Sequence, residues 1–350
     1  MHITINNRKI GQDCPVYIIA EMSANHNQDF HQAISILEEA AKAGADAVKL
    51  QTYTPDTLTI KCDKDFFRID KGRIWGGKNL YDLYQEAYTP WEWQPRLKQT
   101  ADKLGIDLFS SPFDHTAVDF LEQMNVPAYK IASFEIVDIP LIQYIARTGK
   151  PMILSTGMAS QNEIQEALDT IHRAGNSEVA LLKCTSAYPA MVEEMNLRTI
   201  THMTDHFKTP VGLSDHTLDD TSAIAAVALG ACIIEKHITL SRSSSGPDSS
   251  FSMEIHEFER MVKSIRLAEK SLGNVSYQPS QKEQTNRMFR RSLFAVAEIR
   301  ENEAFTHENI RSIRPAHGLH TRYLPEIIGR KASRDIEYGT PISWELIQKG

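Results

Sequence analysis

Two histidines, His216 and His237, each close a short apolar run (210–213 and 232–236) rich in β-branched residues. If those runs are neighbouring strands, they lie ~5 Å apart and their imidazoles meet over one spot. Two imidazoles with positions left open for water and substrate are what a catalytic divalent-metal site requires. A lone histidine at a strand end is more often a hydrogen-bonded structural residue; it is the pairing that favours ligation. Glu21 would complete the shell, directly or through water. The ends of other runs carry Lys49, Lys130 and Lys183 together with Ser111, Ser133, Ser155 and Ser214. Point charges among hydroxyl donors suit a phosphorylated, carboxylated anion. A lysine in such a place equally suits a Schiff base. Glu21 and Glu135 fit proton transfer or the orienting of a water, and fit ion pairs with those lysines just as well.

The elements that must position these groups alternate along the chain. Short apolar runs fall at 16–20, 45–50, 106–110, 128–131, 151–154, 179–183, 210–213 and 232–236, with charges only near their ends. That is how parallel strands buried on both faces read. Amphipathic stretches separate them; in 30–43 Ile34, Leu37, Ala40 and Ala41 share a face, and Gly44 follows as a stop. Eight such repeats predict an α/β protein, a (β/α)8 TIM barrel over 1–272, whose active site gathers at the C-terminal strand ends. A doubly wound sheet would want a GxGxxG turn, which the chain lacks. Residues 3–11 predict a hairpin with Asn6-Asn7 at its turn. The long second loop, 52–88, holds Trp75-Gly76-Gly77-Lys78-Asn79 and Tyr81, Tyr84 and Tyr88. It reads either as a lid over a sugar or as the stripe of a buried helix. Loop 241–252 carries a turn and a carboxylate in Gly246-Pro247-Asp248. Polar residues 273–289 predict a linker, and 290–350 a small second domain.

Composition narrows the classes. With 38 basic and 45 acidic residues, a formal charge of −7 and no basic stripe, the chain is not expected to bind nucleic acid. Four scattered cysteines, no apolar run of membrane-spanning length and no export-type start predict a cytoplasmic protein without membrane association.

In their order, several motifs resemble the sialic acid synthase family. They are Ala20-Glu21 with Asn25-His26-Asn27, Lys49-Leu50-Gln51, Tyr129-Lys130-Ile131-Ala132-Ser133 and Ser155-Thr156-Gly157-Met158. Further on come Cys184-Thr185, Tyr188-Pro189, Gly212-Leu213-Ser214-Asp215-His216, Glu235-Lys236-His237 and Gly246-Pro247-Asp248. The tail, through Arg290-Arg291-Ser292, Arg314-Pro315 and Gly318, is similar to the antifreeze-like (SAF, β-clip) domain of these synthases. Trp75-Gly76-Gly77, Leu80-Tyr81-Asp82-Leu83-Tyr84, Tyr88-Thr89-Pro90-Trp91-Glu92-Trp93 and Ser186 within 184–189 look most like the pseudaminic acid branch. Ser241, Ser249 and Gln28 depart from residues common in relatives.

The resemblance implies condensation of phosphoenolpyruvate with an amino-sugar aldehyde. Lys49, Lys130, Ser111, Ser133, Ser155 and Ser214 would hold phosphoenolpyruvate. Gln51, Tyr188, Asp248 and Arg314 would face the sugar, and Ser186 and Asn79 would contact substrate. A divalent ion on His216 and His237 (Mn2+, with Mg2+ or Co2+ as alternatives) would polarise the aldehyde. Arg314 would reach the site across a domain-swapped homodimer. Competing classes are a Schiff-base aldolase using Lys130 or Lys183, and a saccharide-binding module without catalysis.

Overall fold

A computed structural model describes residues 1–70 and 74–349; residues 71–73 of the long second loop, and residue 350, lie outside the described set. The chain divides into one unit of Met1–Gly273 and another starting at Asn274.

The first unit opens with the expected hairpin, β1 (His2–Ile5) and β2 (Arg8–Gly11). Asn6 and Asn7 have φ of 46° and 63°, the left-handed pair that a two-residue hairpin turn needs. The hairpin attaches to the N-terminal strand ends, where Thr4 N donates to Glu178 and Asn6 Nδ2 to Asp107. Eight parallel strands follow in sequence order: β3 (Tyr17–Glu21), β4 (Ala47–Thr52), β5 (Asp107–Pro112), β6 (Tyr129–Ile131), β7 (Met152–Ser155), β8 (Val179–Cys184), β9 (Val211–Asp215) and β10 (Ile233–Thr239). β10 pairs with both β9 and β3, so the sheet closes on itself. The short β11 (Met253–Glu254) adds to the far end of β10. The result is the (β/α)8 barrel that the eight repeats predict.

Seven of these strands run one to three residues past the apolar runs that mark them in the sequence; β6 alone stops where its run stops. The ladder continues after the apolar pattern ends because the last inward positions are polar. Those positions hold the chemistry.

Helices shield the outside. Phe30–Lys42 buries Ala33, Ile36, Leu37 and Ala40, a face rotated slightly from the expected one, and Asp29 caps it by accepting from His31 N and Gln32 N. Behind the closing seam, Lys236 donates to Asp215 at 2.7 Å, both fully buried. The paired residues one step back, Glu235 and Ser214, face the opposite way, into the barrel. No helix among the described residues is long and apolar enough to cross a membrane.

The second unit has its own core around Leu293, Phe305, Ile310, Ile327 and Ile342. It contains an antiparallel pair, β12 (Ser292–Ala295) and β13 (Ile310–Ile313). The stretch expected as plain linker, 273–289, instead holds a short helix, Gln281–Asn286. Its start is a capping box between Ser280 and Glu283, a signal hidden by the polarity of the segment.

Candidate active site

Strand alternation aims every second residue of the barrel inward, and near the C-terminal ends those residues form one connected polar cluster. Lys49 Nζ lies 2.9 Å from Glu21 Oε2, 3.4 Å from Glu235 Oε1 and 3.5 Å from Ser111 Oγ. Gln51 Nε2 donates to Glu21 Oε1 and to Ser23 Oγ, both at 3.0 Å. Lys130 donates to Ser155 Oγ at 2.6 Å and to its neighbour's carbonyl, Ile131 O, at 2.9 Å. Ser214 Oγ donates to Glu235 Oε1 at 3.3 Å. Lys49, Lys130, Glu21 and Glu235 are all buried.

Burial works against every one of these charges, and their partners decide the outcome. It pulls the Lys49 ammonium down, but Glu21 and Glu235 outweigh it and hold the group above its usual value. Burial raises Glu235, yet Lys130 and Lys49 bring it below the ordinary glutamate range. At Glu21 burial wins over Lys49, and the carboxyl stays raised. Lys130 has no carboxylate ion pair among the described residues, and burial lowers it to about 8. An arriving anion would therefore find in Lys130 a cation that no carboxylate pairs.

His216 and His237 do meet, with ring centroids 5.3 Å apart. His216 Nδ1 donates to Thr185 O at 2.9 Å, so Nε2 is the atom that the neutral ring would offer. Burial pulls this ring down, but Cys184 and Thr185 O outweigh it and hold it above its usual value. His237 Nδ1 is buried without a partner. Burial first, then His216 and Lys49, hold His237 well below its usual value, so it keeps a lone pair to offer. These two rings fit a divalent ion as its imidazole ligands. Among the described residues no third His, Cys, Asp or Glu joins them in a metal-holding group, so other positions would fall to water and substrate. The Glu21 carboxylate, expected to complete the shell directly or through water, is engaged by Lys49 and Gln51.

Aromatic rings line one side of the imidazoles. Tyr188 lies 4.4 Å from His216 and 5.1 Å from Phe251, and Phe251 lies 5.4 Å from His237. Trp75, from the second loop, sits 5.9 Å from Tyr188 and 6.4 Å from Phe251, its Nε1 donating to Pro247 O at 2.9 Å. Asp248 accepts from Ser23 Oγ and, at 3.3 Å, from Ala24 N. Ser133 Oγ accepts from Gly157 N at 3.2 Å. A Cβ on Gly157 would strike the hydroxyls of Ser133 and Ser186, so only glycine lets those two serines close in. Cys184 Sγ is 3.8 Å from Ser186 Oγ and 4.0 Å from His216 Nδ1. Glu135, in the turn Ser133–Val137, keeps a buried Oε2 without a partner, and burial raises its carboxyl to about 7.

Several expected site residues fall elsewhere. Lys183 turns outward on β8, donating to Cys184 O and Thr185 Oγ1. It lines a separate cavity of ≈ 300 Å³ with Thr199, His202 and Met203. Strand parity decides this: Cys184, one residue on, is the inward neighbour of His216. Asn79 is consumed structurally, accepting from Tyr81 N as a helix cap and donating to Cys62 O at 2.6 Å. Tyr81, Tyr84 and Tyr88 belong to or bound the helix Leu80–Ala87, in which Tyr84 packs on Tyr53. Gln28 holds a left-handed φ of 55° and donates to Tyr88 O at 2.6 Å, tying that helix down. Arg314 belongs to the second unit, just after β13. Glu235, Ser23, Cys184 and Phe251 were not singled out for roles. Period-two alternation from His237 points to Glu235; Phe251 carried no comparable signal.

A closed barrel whose C-terminal mouth gathers lysines, hydroxyls, carboxylates and paired imidazoles is an enzyme barrel built around an anionic substrate. The chain belongs to the NeuB family, whose model matches residues 36–277, and a SAF domain model matches residues 290–348. It is 45% identical to the pseudaminic acid synthase of Campylobacter jejuni over 93% of this chain and 95% of that protein. Against the pseudaminic acid synthase of Helicobacter pylori it is also 45% identical, over 96% and 98%. Among solved structures, the spore coat polysaccharide biosynthesis protein spsE of Bacillus subtilis matches with a TM-score of 0.68 and 34% identity, over 100% of both chains.

Lys49→Met tests the cluster. Without the ammonium, the folded Glu21 carboxyl moves further above its unfolded value, so the native state holds a proton that the unfolded chain releases. Stability then falls as pH rises. Urea denaturation should show little loss near the ordinary glutamate value of 4.5. The loss should reach about 3–5 kcal/mol by about pH 8. A gap that does not change with pH would mean that Lys49 does not hold the Glu21 charge.

Proposed function

We propose that this protein is a pseudaminic acid synthase. It joins phosphoenolpyruvate, 2,4-diacetamido-2,4,6-trideoxy-L-altrose and water to give pseudaminic acid and phosphate. The observation that carries this reading is 45% identity with two such synthases over nearly their whole length. The cationic, hydroxyl-lined mouth supports it.

Phosphoenolpyruvate is a masked enol with a nucleophilic C3. Lys130 with Ser155, and Lys49 with Ser111, neutralise its phosphate and carboxylate, while Ser133 and Ser214 donate further hydrogen bonds. Gln51, Tyr188, Ser186 and Asp248 face the sugar and aim its open-chain aldehyde at C3. His216 and His237 would hold a divalent ion, Mn2+ foremost, which when bound supplies Lewis-acid polarisation of that aldehyde. As C3 bonds to the aldehyde carbon, cationic character develops at C2 beside the anionic groups that the lysines position. Glu135 orients the water that adds at C2. One proton of that water passes, through Glu135, to the oxygen left by the aldehyde. The tetrahedral carbon then expels phosphate, which carries away the second proton as the C2 ketone forms, and no redox partner is needed. Lys183 lies outside the mouth, which removes it as a Schiff-base residue for this substrate.

The second unit completes the site of a partner copy in a domain-swapped homodimer. Arg314 is exposed and has no ion pair among the described residues, so its guanidinium is available to a sugar. Four unpaired cysteines fit action in the reducing cytoplasm.

Phosphate release should require phosphoenolpyruvate together with the trideoxy-altrose. Chelation should abolish it, and so should replacement of both His216 and His237 by Ala. Turnover with N-acetylmannosamine alone would move the chain to the neuraminate branch, and full activity in the double variant would remove the metal role. In pH profiles, Glu135 is ionised above about 7 and Lys130 is charged below about 8, so kcat/KM should peak between them. Glu135→Gln should erase the acid limb and spare the alkaline one; an acid limb that persists would assign the water to another group. Light scattering should report a dimer. Arg314→Ala should raise the sugar KM severalfold at unchanged phosphoenolpyruvate KM, and a monomer with normal sugar KM would overturn the swap.

A further inference from the structure

Trp75, Tyr188 and Phe251 form a wall that extends outward from the two imidazoles, and no step of the proposed reaction uses Trp75 or Phe251. Phe251 is buried, 2% exposed, and packs on His237 at 5.4 Å. Tyr188 packs on His216 at 4.4 Å. Trp75 continues the wall beyond them, 5.9 Å from Tyr188 and 6.4 Å from Phe251. The one polar atom of the indole, Nε1, is already given to Pro247 O, so the ring offers a substrate only its apolar surface. The carboxylate next in the chain to Pro247, Asp248, is engaged by Ser23, which in turn accepts from Gln51.

We infer that the outer part of this wall, Trp75 above all, is the element that selects a sugar whose terminal carbon is a methyl group. This inference rests on the synthase reading. If the aldehyde end sits at the imidazoles, the carbon skeleton runs past Tyr188, which Phe251 backs, and its far end meets Trp75. A methyl group there buries apolar surface against an aromatic face. A hydroxymethyl group would lose its water and find no acceptor on the indole. Apolar pockets reject an added hydroxyl only moderately, about 100-fold at most. The expected discrimination is therefore a factor of about 10–100 in kcat/KM between the 6-deoxy sugar and its 6-hydroxy counterpart.

The test compares kcat/KM for 2,4-diacetamido-2,4,6-trideoxy-L-altrose with that for the same sugar carrying a 6-hydroxyl, in wild type, Trp75→Gln and Trp75→Phe. Trp75→Gln should narrow the preference about tenfold, mainly by weakening the 6-deoxy sugar, with the phosphoenolpyruvate KM unchanged. Trp75→Phe should retain most of the preference, which separates loss of the apolar surface from misfolding. Equal loss toward both sugars in Trp75→Gln, or an unaltered ratio, would overturn the role of the wall while leaving the synthase reading intact. A wild-type enzyme that releases no phosphate with either sugar would instead overturn the synthase reading, and the wall's role with it.

Discussion

Lys49 stands within ion-pair reach of both Glu21 and Glu235, and the closure of the barrel makes that geometry unavoidable. β3 lies between β10 and β4, so the register sets Glu235 beside Ile19, His237 beside Glu21, and Glu21 beside Lys49. Three charged side chains from three consecutive strands are thereby driven into one dry interior. Two carboxylates with one ammonium would leave a costly excess of negative charge. Lys130 lowers the Glu235 carboxyl from the other side of the mouth, ahead of Lys49 itself. The cluster therefore holds two cations against two carboxylates, yet only one of those cations sits at contact distance.

That imbalance gives the mouth its direction. The Lys49 end is internally satisfied and rigid, tied further by Gln51 to Ser23 and through Ser23 to Asp248. The Lys130 end has hydroxyl and carbonyl partners only. Neutral donors surround it as they would surround an anion, with Ser155 in contact and Ser133 held by Gly157. His216 completes the contrast. Its Nδ1 is spent on Thr185 O, which turns Nε2 into the atom that it can offer, while His237 is kept neutral by burial and by the nearby positive charges. Preorganised groups of this kind need no rearrangement when charge develops, which is where most enzymatic acceleration originates.

Much of this was legible in the sequence because barrels write it plainly. Apolar runs located the eight strands, and polar residues at their ends located the mouth. Parity was the weak point. Lys49 and Lys183 look alike in sequence, one next to last and the other last in an apolar run. A pairing register shifted by one residue reverses the direction of a lysine, and the pattern of apolar residues does not state that register. β4 pairs Lys49 with the inward Glu21, whereas β8 pairs Cys184 with the inward Ser214 and so turns Lys183 out to the helices. Asn79 failed for another reason: a glycine-rich loop and a helix start share the same residue types, and only the following helix, Leu80–Ala87, reveals the cap. Phe251 was illegible because its value lies in contacts made across loops far apart in the chain.

The titration behaviour of the mouth follows from its charge balance. Burial leaves Glu21 and Glu135 with raised carboxyls and Lys130 with a lowered ammonium. Burial thus pushes each of these groups toward its neutral form. A multiply charged anion entering beside Lys130 reverses the sign of the local field. It holds the Lys130 proton more firmly, and it makes ionisation of Glu135 harder unless the anion's charge is spent on the lysines first. Glu135 differs from the other carboxylates of the mouth. It projects from the turn after β6 rather than from the barrel wall, it keeps an oxygen without a partner, and Lys130 is the group that most opposes the effect of its burial. Glu21 and Glu235, locked to Lys49, are spent in holding the barrel's polar centre together.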